Sequence, residues 1–331
     1  MHLSNLTLCS ALSAFLLVTV LVFLVFGDVP LSGQAWWDAL VHWHSLAAEI
    51  IWGIRLPRNL VAVGVGCMLG MSGAMMQGLL RNPLAEPGLL GVSSGAGLGA
   101  AIAIVLGFGL VPFAVEGFAL AGSGTVAGLL LVFVQRFPQR QSLILLGVGL
   151  SALCGALMSL VFNLSPSPVT TTEMLSWMMG SVANRTWFDL LFCAGGLAIA
   201  AALALRLGRG LRFLTLGEET ARSMGVDMVH LTQIVVLGSS LLAGLSVAVA
   251  GVIGFVGLAA PHFVRALGVK DPYRLIWPST LTGGILVLLA DGLVRALPPT
   301  ADVRLGVLTS LIGAPLFAVL AYRSARSWMQ D

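Results

Sequence analysis

Charge is scarce in this sequence. Only 9% of its 331 residues are Asp, Glu, Lys or Arg, while 58% are hydrophobic. Soluble domains carry about a quarter charged residues, so water is excluded as the solvent for most of the surface. The chain reads as an integral membrane protein. Lysine is all but missing, with Lys270 the single one. No Gly-x-x-x-x-Gly-Lys-Ser/Thr loop is present to cradle phosphates, so any ATP that drives this protein binds to another subunit. The 17 basic and 14 acidic residues leave a net charge of +3 and form no basic tract. That argues against nucleic acid as a partner.

Metal-ligand patterns are missing too. Cys9, Cys67, Cys154 and Cys193 each sit in an apolar run with neither a C-x-x-C nor a ligand spacing, and read as packing or lipid-facing residues. His42 and His44 are two apart, so one helix would not turn both to one face. They suit polar positions at a membrane interface. His262, after Pro261, reads as a structural or interface histidine near the end of a span.

What the sequence does have is long apolar runs. They lie near residues 9–27, 58–80, 89–108, 112–134, 143–163, 187–205, 231–249, 251–267, 276–296 and 305–322. A helical span needs about 20 apolar residues, so ten spans fill the chain and leave no room for a large soluble domain. The first run has no preceding Lys or Arg and no clear cleavage site, and is expected to be a retained span rather than a signal peptide. The expected fold is an all-α membrane protein with both termini on one side. Some of the Gly-rich runs are expected to form short or broken helices. The whole of 1–331 is read as one transmembrane domain: a first span and outer segment (1–57), spans two to six (58–205), a polar segment (206–230) and spans seven to ten (231–331).

Orientation follows from the basic residues, which are retained on the cytoplasmic side. With the N-terminus inside, the cytoplasmic face collects Arg81, Arg136, Arg140, Arg206, Arg209, Arg212, Arg222, Arg265, Lys270, Arg274, Arg323 and Arg326, twelve of the 17. The outer face keeps Arg55, Arg58, Arg185, Arg295 and Arg304. Residues 28–57 hold Trp36, Trp37, Trp43 and Trp52, which suits a helix at the outer interface. In the longest polar stretch, 206–230, Thr215-x-x-Glu218 reads as a capping box that starts a short helix, with Gly225 as its stop. A plain connection would need only a few residues, so a capped helix here points to a docking element.

Gly91-Val92-Ser93-Ser94-Gly95 matches the G-x-S-x-G nucleophile elbow in form only. That motif needs a strand, a sharp turn and a helix. Here the run continues through Ala96-Gly97-Leu98-Gly99, so the glycines at i, i+4 read as a close helix-packing face.

The stretch Arg55-Leu-Pro-Arg58-Asn59, followed by GVGCMLGMSGAMMQGLLRNPLAEPGLLGVSSGAGLGA, is the most distinctive in the chain. With LGEETARSMGV (216–226), AVAGVIGFVGLAAPHFVR (248–265) and GVLTSLIGAPLFAVLA (306–321), it resembles the FecCD-type permease subunits of type II ATP-binding-cassette importers. These take up iron-siderophores, haem and cobalamin. The resemblance spans about residues 50–325. It implies a ten-span, multi-pass permease of the bacterial inner membrane, paired with a second copy or a related permease. It further implies two cytoplasmic ATPase subunits, which hold ATP and Mg, and a periplasmic binding protein that delivers substrate. The chain itself is then a transport subunit, not an enzyme, with no catalytic residue, metal or cofactor of its own.

The resemblance also implies site residues. The short helix that meets the ATPase falls on Leu216, Gly217, Glu218, Glu219, Arg222, Met224 and Gly225. Arginines that meet the binding protein fall on Arg55, Arg58 and Arg295, although Arg295 has an alternative partner in Asp291, four residues away on one helix. The channel-lining region falls on 143–181, including Met158, Asn163, Ser165, Thr170, Thr171, Thr172 and Trp177, each of which has packing, loop or interfacial anchoring as its alternative. One departure is Asp302-Val303-Arg304-Leu305-Gly306, where the family usually has Glu-Leu-Pro-Val-Gly. An arginine at the proline position puts the local turn in doubt and adds an outer charge. Ferric siderophore is the first expected substrate, then haem or cobalamin.

Two rivals come from other classes. An ion-coupled secondary transporter usually carries an ionisable residue deep in a span, and here the span centres are almost free of charge. An intramembrane enzyme would need paired acids, a metal set or a Ser/His pair at bilayer depth, and none is evident.

Overall fold

The computed structural model describes residues 5–27, 29–137, 139–298 and 303–328, and among these there are helices and connections but no strand. Helix α1 (Asn5–Val25) is followed by the short α2 (Gly33–Val41) and α3 (Leu46–Ala48). Helix α3 runs through a π-helical turn, Glu49–Arg55, into α4 (Leu56–Leu80). Then come α5 (Val92–Val105), α6 (Ala114–Arg136), α7 (Arg140–Asn163), α8 (Pro168–Met178) and α9 (Trp187–Ala204). The short α10 (Gly208–Leu214) and α11 (Glu218–Ser223) precede α12 (Met228–Ala250), α13 (Val256–Ala266), α14 (Pro272–Ala296) and α15 (Leu305–Trp328). Each of the ten apolar runs carries a helix. Seven helices among the described residues are long and apolar enough to cross a membrane. The Gly-rich runs near 89–108 and 251–267 yield the shorter α5 and α13.

Local chemistry sets many of the helix starts. The Ser32 and Ser45 hydroxyls accept from Ala35 N and Ala48 N, at 3.2 and 3.1 Å, to open α2 and α3. Asp227 accepts from Val229 N and His230 N, and Asp271 from Tyr273 N and Arg274 N, ahead of α12 and α14. Thr186 and Asp189 close a reciprocal capping box at α9.

Helix α4 is the centre of the bundle and is buried along nearly its whole length. Apolar side chains gain little by leaving lipid for protein, so close van der Waals contact must hold such helices together. Glycine provides it. A Cβ on Gly66 would lie 2.2 Å from the Gly283 carbonyl oxygen, and one on Gly70 would lie 2.2 Å from that of Ser279. The backbones of α4 and the antiparallel α14 therefore touch. On another side of α4, the Ser72 hydroxyl donates to Ser239 O of α12 at 2.8 Å. The elbow-like glycines do the same for α5 against α6: a Cβ on Gly99 would lie 2.0 Å from Phe118 O, and one on Gly95 would lie 2.7 Å from Gly122 O.

Between α12 and α13 the helix breaks at residues 251–254. Irregular backbone at membrane depth survives only where protein satisfies it. Here Ser181 N donates to Ala250 O at 2.7 Å and Gly306 N donates to Met179 O at 3.0 Å. Gly180 and Gly251 both have φ of 70°, and a Cβ on Gly251 would lie 2.3 Å from Trp177 O. The end of α8, the break and the start of α15 thus meet backbone to backbone.

The bundle has two ends. The upper end gathers the C-terminus of α1 and the N-terminus of α4, where Arg55 bonds Leu24 O. The lower end gathers the C-terminus of α4, the N-terminus of α14, and α10 with α11, where Arg212 pairs with Asp271. The described basic residues segregate between the ends as counted from the sequence; the side chains of Arg140, Arg323 and Arg326 lie outside the described residues, as does Asp302.

Candidate functional site

At the lower end, α10 and α11 form a small helical corner. The start of α11 differs from the sequence expectation. Thr215 is not its cap: the Thr215 hydroxyl donates back to Arg212 O, ending α10. Gly217, at φ 115°, takes the N-cap position of α11 with no side-chain bond. The Thr215/Glu218 capping box is therefore not formed, because Thr215 takes helical backbone angles (φ −64°, ψ −28°) as the C-cap of α10 and leaves the N-cap of α11 to Gly217. The stop is as expected. Gly225 N donates to Arg222 O and Val226 N to Ala221 O, at 2.9 and 3.0 Å, with Gly225 at φ 83°. This is a Schellman closure.

The corner presents apolar side chains to the outside. Leu216 and Met224 are 63% and 53% exposed, whereas Ala221 is fully buried and fixes α11 against the bundle. Glu218 and Arg222 pair at 2.9 Å along the helix, and Glu219 is exposed beside them. A short helix with two exposed apolar residues flanking charged ones is suited to seat in a groove on another protein.

At the upper end the three arginines are brought together but turned inward. Arg55 is only 5% exposed, and its guanidinium donates to Leu24 O at 3.0 Å, Val25 O at 2.8 Å and Val29 O. Its guanidinium is bound to the end of α1. Arg58 donates to both oxygens of Asp291. Arg295 donates to Asp291, to Phe23 O and to Asn59 Oδ1. The alternative partner of Arg295 is the one found. Asn59, its third contact, carries no sequence signal beyond standing next to Arg58. Arg58 and Arg295 still border a cleft of about 550 Å³, with Arg304, Ser181 and Asp291 on its walls. Arg304 accommodates the turn without proline: its carbonyl accepts from Leu308 N at 3.2 Å, and α15 starts at Leu305.

The expected channel residues divide. Met158 is buried, with its Cε 3.1 Å from where a Cβ on Gly97 would sit, and so packs α7 on α5. Trp177 joins the same apolar cluster. For these two, packing is the placement found. Asn163 and Thr172 are exposed, while Thr170 and Thr171 tie Ser165 and Ser167 into the turn before α8. Elsewhere, Arg265 of α13 donates to Gln77 Oε1 of α4 at 2.5 Å. No group of three or more metal-ligating side chains is found among the described residues.

Among the described residues, the lower end thus leaves apolar side chains open on α11, and the upper end sets arginines around a cleft. The model of the FecCD transport family matches residues 15–323. The vitamin B12 import system permease protein BtuC of Yersinia pestis is 38% identical over 317 residues, 95% of this chain and 92% of that one. The protein of the same name from Citrobacter koseri is 37% identical over 97% of this chain and 96% of its own. Among solved structures, a chain assigned to a metal-chelate type ABC transporter in an inward-facing conformation superposes with a TM-score of 0.84 at 34% identity, covering 96% of this chain and 99% of that one. PsaBC from Streptococcus pneumoniae, at 17% identity and a TM-score of 0.52 over 86% of this chain and 94% of that one, shares the fold alone.

Proposed function

The chain belongs to the FecCD transport family, and from that premise we propose that it forms one half of the membrane pathway of an importer for a large metal chelate. It is a multi-pass permease, a transport subunit rather than an enzyme. The observation that carries the substrate class is the match, along 95% of the chain, to permeases named for vitamin B12 import. Cobalamin accordingly moves ahead of ferric siderophore and haem as the first substrate to test.

The rest of the reading follows from the two ends. Nine of the described basic residues flank the lower ends of the helices, which supports a cytoplasmic lower end with both termini on that side. Two separate ATPases, holding ATP and Mg, seat the α11 corner through Leu216 and Met224, with Glu218, Glu219 and Arg222 setting register. A periplasmic binding protein delivers the chelate to the upper cleft, where Arg58, Arg295 and Arg304 supply positive charge. A second copy of this chain completes the pathway. Closure of the ATPases shifts the population between inward-open and outward-open states through the α11 contact.

The test is uptake by proteoliposomes containing this chain, its neighbouring ATPase and the binding protein, offered cobalamin, a ferric siderophore or haem in turn. ATP-dependent accumulation of cobalamin is the expected result. Accumulation of another chelate alone would move the substrate assignment, and failure of the chain to assemble with the ATPase would overturn the importer reading.

A further inference from the structure

The arginines around α10 and α11 divide by partner. Arg212 pairs with Asp271 and lies over the Tyr273 ring at 5.4 Å, and Arg222 pairs with Glu218. Arg206 and Arg209 are exposed and have no ion-pair or hydrogen-bond partner among the described residues. Both line one cleft of about 270 Å³, set between α10, the end of α11 and the first turns of α12.

Packing holds them there. Leu207 and Leu211 are fully buried, and a Cβ on Gly210 would lie 2.8 Å from Leu231 Cδ1. Helix α10 therefore lies hard against α12, and Arg206 and Arg209 share the cleft with His230. The acid on this cleft is Asp227, whose Oδ1 accepts from Val229 N and His230 N at 2.9 and 3.0 Å. It caps α12, and its single charge balances only one of the two arginines.

The cleft lies at the level where a bilayer passes from acyl chain to headgroup. Arg206 comes two residues after the end of α9, and His230 belongs to the first turn of α12. Both helices are long and apolar enough to cross a membrane. Ile234, one turn beyond His230 and about 6 Å deeper along α12, lines the same cleft with Leu231 and Phe213. Positive charge thus rims an apolar floor. A free anion, or an acidic patch on a soluble protein, would use the rim alone. A phospholipid uses both, because guanidinium groups take its phosphate in bidentate fashion and a chain covers the floor. Basic pockets between spanning helices bind anionic headgroups in this way.

We propose that this cleft binds an anionic phospholipid, its phosphate held by Arg206 and Arg209 beside His230 and one acyl chain laid along Phe213 and Ile234. Met224 lines the cleft as well, so the lipid borders the α11 corner. The site requires a bilayer and no particular chelate, and it stands apart from the transport reading.

The test is native mass spectrometry of the purified chain, alone and assembled with its ATPase, titrated with phosphatidylglycerol, phosphatidylcholine or inorganic phosphate. Both forms are expected to retain phosphatidylglycerol in preference to phosphatidylcholine, and inorganic phosphate is expected not to displace it. A basic residue near an anionic lipid is worth about fivefold in binding, so Arg206→Gln and Arg209→Gln should each weaken phosphatidylglycerol by about that factor. Arg136→Gln removes an equal charge from the exposed lower end of α6, outside the cleft, and should leave binding unchanged. An equal loss in Arg136→Gln would overturn the site in favour of diffuse attraction to the whole basic face. Equal retention of phosphatidylcholine would overturn the role of the anionic headgroup, and displacement by inorganic phosphate would make this a site for a free anion. Loss of the lipid on assembly with the ATPase would give the cleft to that protein interface instead. If no ATPase assembles, the importer reading fails, and the chain alone still decides the lipid site.

Discussion

Arg58 holds Asp291 with two hydrogen bonds, from Nη2 to Oδ1 at 2.8 Å and from Nε to Oδ2 at 3.1 Å, and the aspartate is only 1% exposed. Arg295, one turn further along α14, donates to the same carboxylate from Nε at 2.8 Å. One acid thus serves two guanidinium groups, and it ties α4 to α14 at the point where Arg295 also reaches Phe23 O of α1. This is a structural clamp first and a charged surface second.

The clamp makes a stability prediction. Asp291→Ala leaves two arginines without their shared acceptor in a dry site, and breaking such a pair costs about 3–5 kcal/mol. Arg58→Ala removes only the more exposed donor and leaves Asp291 paired with Arg295, so it is expected to cost less. Thermal unfolding of the detergent-purified protein should give that order. Equal melting temperatures for Asp291→Ala and wild type would show that the clamp holds nothing.

The glycines separate into two kinds, and substitution should tell them apart. A Cβ at Gly73 would meet Gly257 O at 1.8 Å, whereas Gly124 and Gly128 on α6 have nothing within 4 Å. Gly73→Ala forces α4 away from α13, and overpacking of this type costs about 1–3 kcal/mol. At Gly124 and Gly128, alanine adds helix propensity of about 0.5–1 kcal/mol with no contact to offend. Melting temperatures should fall for the first and hold or rise for the other two.

The spans were readable because a long apolar run has few other fates, and the close-packing role of Gly95 and Gly99 was readable from their spacing. Which end of the bundle each arginine occupies was readable, but not the direction in which its side chain turns. Arg58 and Asp291 are 233 residues apart, so nothing local announces that the guanidinium turns inward. At Thr215 the difference is local: the residue ends α10 with helical backbone angles, and Gly217, at φ 115°, opens α11 without a side-chain cap.

The α11 corner should act through its apolar residues more than its ion pair. Glu218 and Arg222 are solvent-facing partners one turn apart, and such pairs contribute little. Leu216→Asp and Met224→Asp each place a charge where an apolar contact is proposed. Both are expected to abolish copurification of the ATPase with a permease that remains folded. Replacing Glu218, Glu219 and Arg222 together with alanine is expected to lower substrate-stimulated hydrolysis while leaving assembly largely intact. Retention of the ATPase by both aspartate variants would remove α11 from the interface.

At the upper cleft, stability and docking should separate on different arginines. Arg58 and Arg295 already serve Asp291, so their loss mixes an effect on the fold with any effect on a partner. Arg304 lies on the same cleft, just ahead of α15. Charges at the rim of an interface act mainly on the association rate, and salt screens them. Arg304→Glu is therefore expected to slow association of the binding protein, with a deficit that shrinks as salt is raised. Arg295→Ala should lower both the melting temperature and the affinity, with little salt dependence in the first. Surface-plasmon measurements across a salt series, alongside thermal unfolding, distinguish the two. An Arg304→Glu variant that binds at the wild-type rate in low salt would place the docking charge elsewhere on the upper end.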